Sequence, residues 1–258
     1  MSPRLLLSVV VAWLGVACAA VPPPPPTARV IEPSAAEPPD EVVLAEDVRV
    51  YRLAPGVWVH VTLAGKAWGH TPANGLIIEE GASSLLVETG WNPRQAERLL
   101  DWARDALHRP VRAALVTHFH LDRIGGIPAL GARGVPVSAR EETARRVVAR
   151  GMTATLQPLA DAQEWGPLSV FFPGAGHSPD NLVVAHRDRG LLYGGCFVKD
   201  ASARDLGNLE DADVAAWPRS LERVRQRFPD ARQVLPGHGA PGGPELLTHT
   251  QALLRAAP

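Results

Sequence analysis

Three side chains that commonly bind metal ions occupy alternate positions in the segment THFHLDRIGG, directly after an apolar run. They are His118, His120 and Asp122, and Arg123, which does not bind metals, follows them. On a straight strand these three share one face, with neighbours about 6.6 Å apart and the outer pair about 13 Å apart, so all three cannot reach one ion. Either the chain bends after His120, assisted by the two glycines that end the segment, or Asp122 serves a second metal.

Three more candidate ligands lie downstream, each at the end of a strand or in a turn. They are His177 in GAGHSPDN, Cys196 in GGCFVKD and His238 in PGHGAPGG, where glycines and prolines allow sharp turns. Six ligands make two sites of three, and a catalytic zinc ion typically keeps three protein ligands and one water. Two zinc ions about 3.5–4 Å apart can share one hydroxide, which is a nucleophile at neutral pH. We therefore expect two zinc ions per chain. The remaining histidines lack such a setting and are expected at the surface or in the core: His60, His70, His108, His186 and His249.

Composition and missing motifs argue against other classes of protein. With 258 residues and a formal net charge of −1, the chain offers no electrostatic reason to bind nucleic acid. The sequence contains no Ser-x-x-Lys, Lys-Thr-Gly or Gly-x-Ser-x-Gly motif, so covalent serine catalysis is disfavoured.

The segments that carry the candidate ligands form two similar halves. Branched residues between turn residues predict an opening antiparallel sheet, with strands at 48–53, 57–63, 75–79 and 84–88. A helix follows Asn92-Pro93, and a strand covers 111–117. Ser138 and Glu141 predict a capping box for the next helix, which Gly151 would end. The second half has strands at 168–172, 182–186 and 190–193, a helix around 217–228, a strand at 233–235 and a helix from Pro244. This repetition predicts an α/β protein, a four-layer αβ/βα sandwich.

The first forty residues resemble an export signal followed by a spacer. Residues 1–20, with an apolar stretch at 5–17, are typical of a secretory signal peptide and too short to span a bilayer comfortably. Either cleavage occurs near Ala19 or Ala20, or Cys18 becomes a lipidated first residue; both alternatives stay open. Residues 21–41 form a proline-rich linker, so the folded domain covers 42–258. We expect a periplasmic protein, anchored to the outer membrane if Cys18 is lipidated.

The ligand motifs together resemble the metallo-β-lactamase superfamily, whose members fold as an αβ/βα sandwich with metals at one edge. Most of its hydrolases, including glyoxalase II-like thioesterases and lactonases, have a second histidine directly after the aspartate, where this chain has Arg123. Class B β-lactamases of subclass 1 commonly have arginine there and a cysteine ligand further on. GHSPDNLVVAH, GGCFVKD, LGNLEDADVAAWPRS and LPGHG resemble that subclass in the same order, and the resemblance extends over residues 48–254.

This resemblance implies a role for each candidate residue. The first zinc ion would be bound by His118, His120 and His177, and the second by Asp122, Cys196 and His238. Asp122 and Asn208 would act in catalysis, Asn208 by polarising the lactam carbonyl. Lys199 would bind the substrate carboxylate, and Trp68 would lie near the tip of a loop, 63–75, that closes over the substrate. Arg123 would lie behind the ligands, orienting Asp122 or balancing the negative charge of the second site.

Simpler interpretations compete for three of these residues. Lys199 could be a solvated surface residue, Asn208 a turn residue and Trp68 a packed aromatic. The segment VETGW also departs from the family pattern, because Glu88 replaces the usual aspartate. That change would rearrange contacts behind the ligands.

The resemblance implies zinc-dependent hydrolysis of the β-lactam bond in penicillins, cephalosporins and carbapenems, and thereby antibiotic resistance. The alternative within the fold is a thioesterase or lactonase, which generally lacks the pair formed by Cys196 and Lys199. A metal-stabilised binding protein without catalysis is the alternative from another class. We expect a monomer that acts on a small molecule, without nucleic acid, and that meets a membrane only through an N-terminal lipid anchor.

Overall fold

Two β-sheets packed face to face form the centre of the protein. The computed structural model describes residues 40–257, apart from the side chain of Trp68. The first sheet has eight strands in sequence order: β1 (Glu41–Ala45), β2 (Val48–Ala54), β3 (Val57–Leu63), β4 (Pro72–Glu80), β5 (Ser83–Val87), β6 (Val111–Leu115), β7 (Val137–Arg140) and β8 (Gln157–Leu159). The second has five: β9 (Ala162–Trp165), β10 (Leu168–Phe171), β11 (Val183–His186), β12 (Leu191–Gly195) and β13 (Gln233–Pro236), in the spatial order β13-β12-β11-β10-β9.

Helices cover the outer faces of both sheets. The α-helices of the described chain are α1 (Pro93–Asp105), α2 (Leu121–Ile124), α3 (Ile127–Ala132), α4 (Glu141–Ala149), α5 (Trp217–Arg227) and α6 (Glu245–Ala256). One apolar cluster packs α1, α3 and α4 on the first sheet, a second lies between the sheets, and a third packs α5 and α6 on the second sheet. These three apolar layers separate four layers of structure, so the predicted αβ/βα sandwich is confirmed.

The alternation of side chains along β3 illustrates how one strand contributes to two apolar layers. Val57, Val59 and Val61 belong to the cluster between the sheets. Trp58 points to the other face, where its ring meets Trp102 of α1 edge-on at a centroid distance of 5.1 Å. Both faces of this strand are therefore buried, which fixes its register.

Parallel pairing brings the candidate ligands to one edge of the sandwich. The first five strands pair antiparallel, and the sequence predicts four of them, β2 to β5. Strands β5 and β6 are parallel, with Val87 opposite Leu115. In the second sheet β12 and β13 are also parallel, with Gly195 opposite Pro236. Because parallel strands end at the same edge, the segments that follow these four strands lie side by side.

The capping box predicted for α4 is wrong. Ser138 lies inside β7, and its carbonyl accepts a hydrogen bond from Val116 N at 3.0 Å, so the sheet fixes its backbone as extended. The residue before α4 is Arg140, which makes no side-chain cap. The cap of α1 is as predicted, because the Asn92 side chain accepts from Gln95 N at 3.0 Å.

The sequence predicts that the folded domain covers residues 42–258. The first strand of the described chain, β1, begins at Glu41. The predicted signal peptide, Cys18 and the linker as far as residue 39 lie outside the described residues. Among residues 40–257, no helix has both the length and the apolarity that crossing a bilayer requires.

Candidate metal centre

Three histidines converge at the edge where the two sheets meet. His118 and His120 follow β6 in the first sheet, and His177 lies between β10 and β11 in the second. Their ligand atoms lie within 4.8 Å of one another, and His120 Nδ1 is 3.0 Å from His177 Nε2. Within the described structure His118 Nε2 is buried without a hydrogen-bond partner. A buried lone pair among converging imidazole nitrogens fits a metal cation.

A second group forms around Asp122, Cys196 and His238. The Cys196 sulfur is 3.7 Å from Asp122 Oδ2 and 3.2 Å from His238 Nε2, and the last two atoms are 3.3 Å apart. The ligand atoms of His118, Asp122 and Cys196 also lie within 4.8 Å of one another, so the two groups adjoin. Strand β6 ends before His118 and α2 begins at Leu121, so the chain bends within the ligand motif. Asp122 therefore lies in the second group and not beside His120 and His177. Carboxylate, thiolate and imidazole suit zinc.

Arg123 is completely buried behind this second group. Its Nη2 lies 2.7 Å from Asp122 Oδ2, 2.9 Å from the Cys196 sulfur and 3.0 Å from the carbonyl oxygen of Gly237. Its Nη1 donates to the carbonyl of Asn74 at 2.6 Å and to the Tyr193 hydroxyl at 2.9 Å. A buried cation therefore faces both side chains that would bring negative charge to the site. This position explains why the row of ligands stops at Arg123.

The glycine before His238 allows this close packing. A Cβ at Gly237 would lie 2.5 Å from Cys196 N and 2.9 Å from Arg123 Nη2. Both distances are shorter than van der Waals contact, so a larger residue would displace either the cysteine loop or the guanidinium.

Electrostatics keep three of the candidate ligands in the protonation state that a metal needs. Burial raises the pKa of Asp122, but the charges of Arg123 and His238 outweigh it and hold that pKa well below its usual range. Burial and the neighbouring histidines lower the pKa values of His118 and His177 well below the ordinary value, so both imidazoles are neutral. Burial alone would lower the pKa of His238, yet Cys196 and Asp122 raise it to about 10 without a metal. Metal binding at His238 would therefore release a proton.

Three of the four histidines have a partner on the nitrogen that faces away from the ligand groups. Thr117 Oγ1 lies 3.1 Å from His118 Nδ1, and the Pro72 carbonyl lies 2.5 Å from His238 Nδ1. Asp211 Oδ2 lies 3.0 Å from Nε2 of His120. Such partners fix the orientation and tautomer of metal-binding histidines. Sequence reasoning did not identify Asp211, although it lies within the quoted segment LGNLEDAD, because nothing in its spacing separates it from the neighbouring acids.

The predicted substrate-binding residues differ in their surroundings. Lys199 is half-buried, its Nζ lies 5.5 Å from the ring centroid of Trp217, and among the described residues no carboxylate forms an ion pair with it. Asn208 is exposed and its Oδ1 accepts from Glu210 N at 3.0 Å, as in a turn, while its amide nitrogen has no recorded partner in the described chain. Trp68 ends a short 3₁₀ helix, Lys66–Trp68, between β3 and β4, and its side chain lies outside the described part.

The other histidines take no part in either ligand group of the described structure. His60 and His186 are buried, His249 is half-buried, and His70 and His108 are exposed.

Two sandwiched sheets with six candidate ligands at one edge define a metal-binding protein of the αβ/βα class. The sequence profile described as "Metallo-beta-lactamase superfamily" matches residues 68–238. The chain therefore belongs to the metallo-beta-lactamase superfamily, a family that implies zinc.

Individual relatives match along most of their length. The chain is 36% identical over 227 residues to "Metallo-beta-lactamase type 2" of Bacteroides fragilis, covering 86% of this chain and 91% of that protein. It is 35% identical over 215 residues to the protein of the same name from Bacillus cereus, covering 81% and 83%. The crystal structure of FIM-1 from Pseudomonas aeruginosa, in a mono-zinc form, has a TM-score of 0.79 and 36% identity, covering 83% of this chain and 98% of that chain. A metallo-beta-lactamase from Erythrobacter litoralis has a TM-score of 0.80 and 32% identity, covering 84% and 100%.

Proposed function

We propose that this protein hydrolyses the amide bond of β-lactam antibiotics with two zinc ions, and that its substrates include penicillins, cephalosporins and carbapenems. The observation that carries the proposal is the buried contact of Arg123 with both Asp122 and Cys196, directly beside the three histidines. This arrangement gives a second ligand group built on a cysteine. The relatives named as metallo-beta-lactamases support the same reaction.

Each ligand group fits one zinc ion. His118, His120 and His177 would hold the first ion. The second ion would be held by Asp122, Cys196 and His238. Bound zinc supplies a water whose pKa is about 7 and an electrophile that polarises a carbonyl oxygen. Arg123 keeps Asp122 ionised and orients its carboxylate, and its charge offsets the thiolate.

Lys199 and Asn208 would bind the polar groups of the substrate. The Lys199 ammonium is partly desolvated and has no carboxylate partner among the described residues, so a substrate carboxylate can pair with it. The amide nitrogen of Asn208 can donate a hydrogen bond to the lactam carbonyl, stabilising the negative charge that develops on that oxygen. The exposed loop that carries Trp68 would cover the apolar groups of the substrate.

Turnover assays with and without a chelator test this function. The purified protein is expected to hydrolyse a penicillin, a cephalosporin and a carbapenem, to lose that activity with chelator and to regain it with zinc. A thioester and a lactone serve as control substrates, because thioesterases and lactonases share the fold. Faster cleavage of either control, or lactam hydrolysis that a chelator does not affect, would refute the proposal.

We further propose that the protein is exported to the periplasm through residues 1–20 and acts there as a monomer. Residues 21–41 would serve as a linker to the catalytic domain, 42–258. Mass spectrometry of the N-terminus of the exported protein distinguishes acylated Cys18 from cleavage near Ala19 or Ala20. An uncleaved N-terminus would contradict the signal peptide.

A further inference from the structure

Glu88 is a buried carboxyl group held in a strained backbone conformation. It follows β5 with a φ of 68°, in the left-handed region that non-glycine residues rarely adopt, and its side chain is completely buried. Its amide donates to the carbonyl of Leu115 at 2.9 Å, and His60 Nε2 lies 3.0 Å from the preceding carbonyl of Val87. Strain of this kind persists where the surroundings impose it, and it is concentrated at functional sites.

On one side Glu88 contacts Thr117, which in turn contacts His118. Thr117 Oγ1 lies 2.5 Å from Glu88 Oε1, and Thr117 N donates to Glu88 Oε2 at 3.1 Å. When Glu88 is ionised, the short contact with its carboxylate uses the one proton of the threonine hydroxyl. The same oxygen, 3.1 Å from His118 Nδ1, therefore accepts from the Nδ1 proton. This fixes the tautomer of His118 and leaves the lone pair on its buried Nε2.

On the other side Glu88 contacts Tyr193 and, through it, Arg123. The Tyr193 hydroxyl lies 3.2 Å from Glu88 Oε1 and 2.7 Å from the Asn74 carbonyl, and it accepts from Arg123 Nη1 at 2.9 Å. The other terminal nitrogen of Arg123 contacts Asp122 and the cysteine sulfur. An unbroken series of contacts thus runs from His118 to the second ligand group.

We propose that Glu88 is a positioning residue that couples the two metal-binding groups, orienting His118 through Thr117 and the buried guanidinium of Arg123 through Tyr193. One carboxyl oxygen, Oε1, contacts both intermediaries. An aspartate at position 88 would be shorter by one methylene, about 1.5 Å. Its carboxyl group could contact Thr117 but would then lie too far from Tyr193. The inference rests on the metal centre of the proposed function but not on its substrate.

Coupling of this kind is reciprocal, so occupancy of either group should change the affinity of the other by the same factor. Substituting the intermediaries separates the two branches. Thr117→Val removes the hydroxyl that contacts both Glu88 and His118. Tyr193→Phe removes the hydroxyl that contacts Glu88, the Asn74 carbonyl and Arg123. Glu88→Ala removes both carboxyl oxygens, so it disturbs both branches.

Cobalt titration in competition with a chelator, without substrate, measures both groups. The thiolate-to-cobalt absorption reports the group that contains Cys196, and the ligand-field bands report the three histidines. We expect about 10- to 100-fold weaker binding at the histidine group in Thr117→Val, at the cysteine group in Tyr193→Phe, and at both in Glu88→Ala. The control is Glu79→Ala. Glu79 is a partly buried glutamate on β4 that accepts from Trp58 Nε1 at 2.9 Å, and this variant should bind cobalt like the unaltered chain.

Weakening of one group only, or of neither, in Glu88→Ala would overturn the proposal. If near-ultraviolet circular dichroism indicates that this variant is unfolded, the other two variants decide. The unaltered protein should bind cobalt at one group with an affinity that depends on occupancy of the other, and both variants should lose that dependence. Equal dependence in all three proteins overturns the proposal. Failure to hydrolyse lactams would leave these binding results intact, so the two proposals fail separately.

Discussion

Asp211 lies 3.0 Å from Nε2 of His120, although 91 positions separate the two residues in the chain. The other ring nitrogen of His120, Nδ1, faces His177 at 3.0 Å. The carboxylate therefore holds a proton on Nε2 and leaves the Nδ1 lone pair directed at the ligand group. A carboxylate in this position also raises the basicity of the imidazole as a ligand.

Replacing Asp211 with alanine should weaken metal binding at the three-histidine group about 10- to 100-fold, because His120 loses the partner that fixes its tautomer. Zinc affinity measured by chelator competition tests this. Glu210→Ala is the matched control, since Glu210 is an exposed acid in the same loop whose side chain is not paired with His120. Equal losses in the two variants would indicate a general effect of loop charge.

Cys196→Ser should remove metal selectively from the second group. A serine hydroxyl is a poorer zinc ligand than a cysteine sulfur, and it does not supply the negative charge that a zinc-bound thiolate would place beside Arg123. We expect the zinc content to fall from two ions towards one per chain and the activity to fall about 100-fold. Zinc analysis after dialysis measures the first effect, and the three-histidine group serves as the internal control. Unchanged zinc content and rate would exclude Cys196 as a ligand.

Lys199→Ala should raise KM for lactams about 10- to 100-fold and change kcat less. This factor corresponds to the usual free energy of a hydrogen bond between charged groups. The interaction forms when the substrate binds and persists during the reaction, so its loss appears mainly in KM. Lys199→Arg keeps the positive charge and should raise KM less than Lys199→Ala does. Steady-state kinetics of all three proteins provide the comparison, and an unchanged KM in the alanine variant would remove Lys199 from the site.

His60 should make the metal-free protein less stable in acid. Burial lowers its pKa from 6.5 to about 4, despite the hydrogen bond to Val87, so the folded protein holds this side chain neutral. The unfolded chain binds the proton more readily, so this stability is fully present above about pH 6.5 and is lost as the pH falls towards 4. Between pH 7 and pH 5 the loss should be about 2 kcal/mol.

Urea unfolding of the chelator-treated protein at several pH values measures this loss. His60→Gln retains an amide that can donate to Val87 but does not titrate in this range. Its stability should therefore fall less between pH 7 and pH 5 than that of the unaltered protein. Parallel curves for the two proteins would contradict the assignment to His60.

The sequence predicts those parts of the fold that depend on local patterns. Strands β2 and β3 have branched residues and clear turn residues at their ends, so their predicted positions agree with the structure within one residue. Helix α2 has only four residues and is too short to show a helical period. Ser138 has the sequence of a cap, but pairing with neighbouring strands overrides that local preference.

In the candidate site, too, the features that depend on local patterns are predictable and those that depend on packing are not. His177, Cys196 and His238 stand beside glycines, and His118 and His120 alternate directly after an apolar run; both are local signals that the sequence displays. The partners of Arg123 come from β4, β12 and the loop after β13, so only the packing of both sheets brings Asn74, Tyr193 and Gly237 to it. Asp211 has acidic neighbours at Glu210 and Asp213, and only the folding of this loop onto His120 distinguishes it.

Each ligand group takes side chains from both sheets: His177 faces His120 across the edge, and Cys196 and His238 face Asp122. Little backbone pairing reinforces this edge; Leu182 N donates to the Thr117 carbonyl and Asn74 N to the Gly237 carbonyl. A metal held there binds only while the sheets are docked, so it lowers the population of open chains that proteases cut. The lifetime of the protein in the cell should therefore follow the local supply of zinc, and zinc starvation would remove the enzyme by degradation as well as by loss of its cofactor.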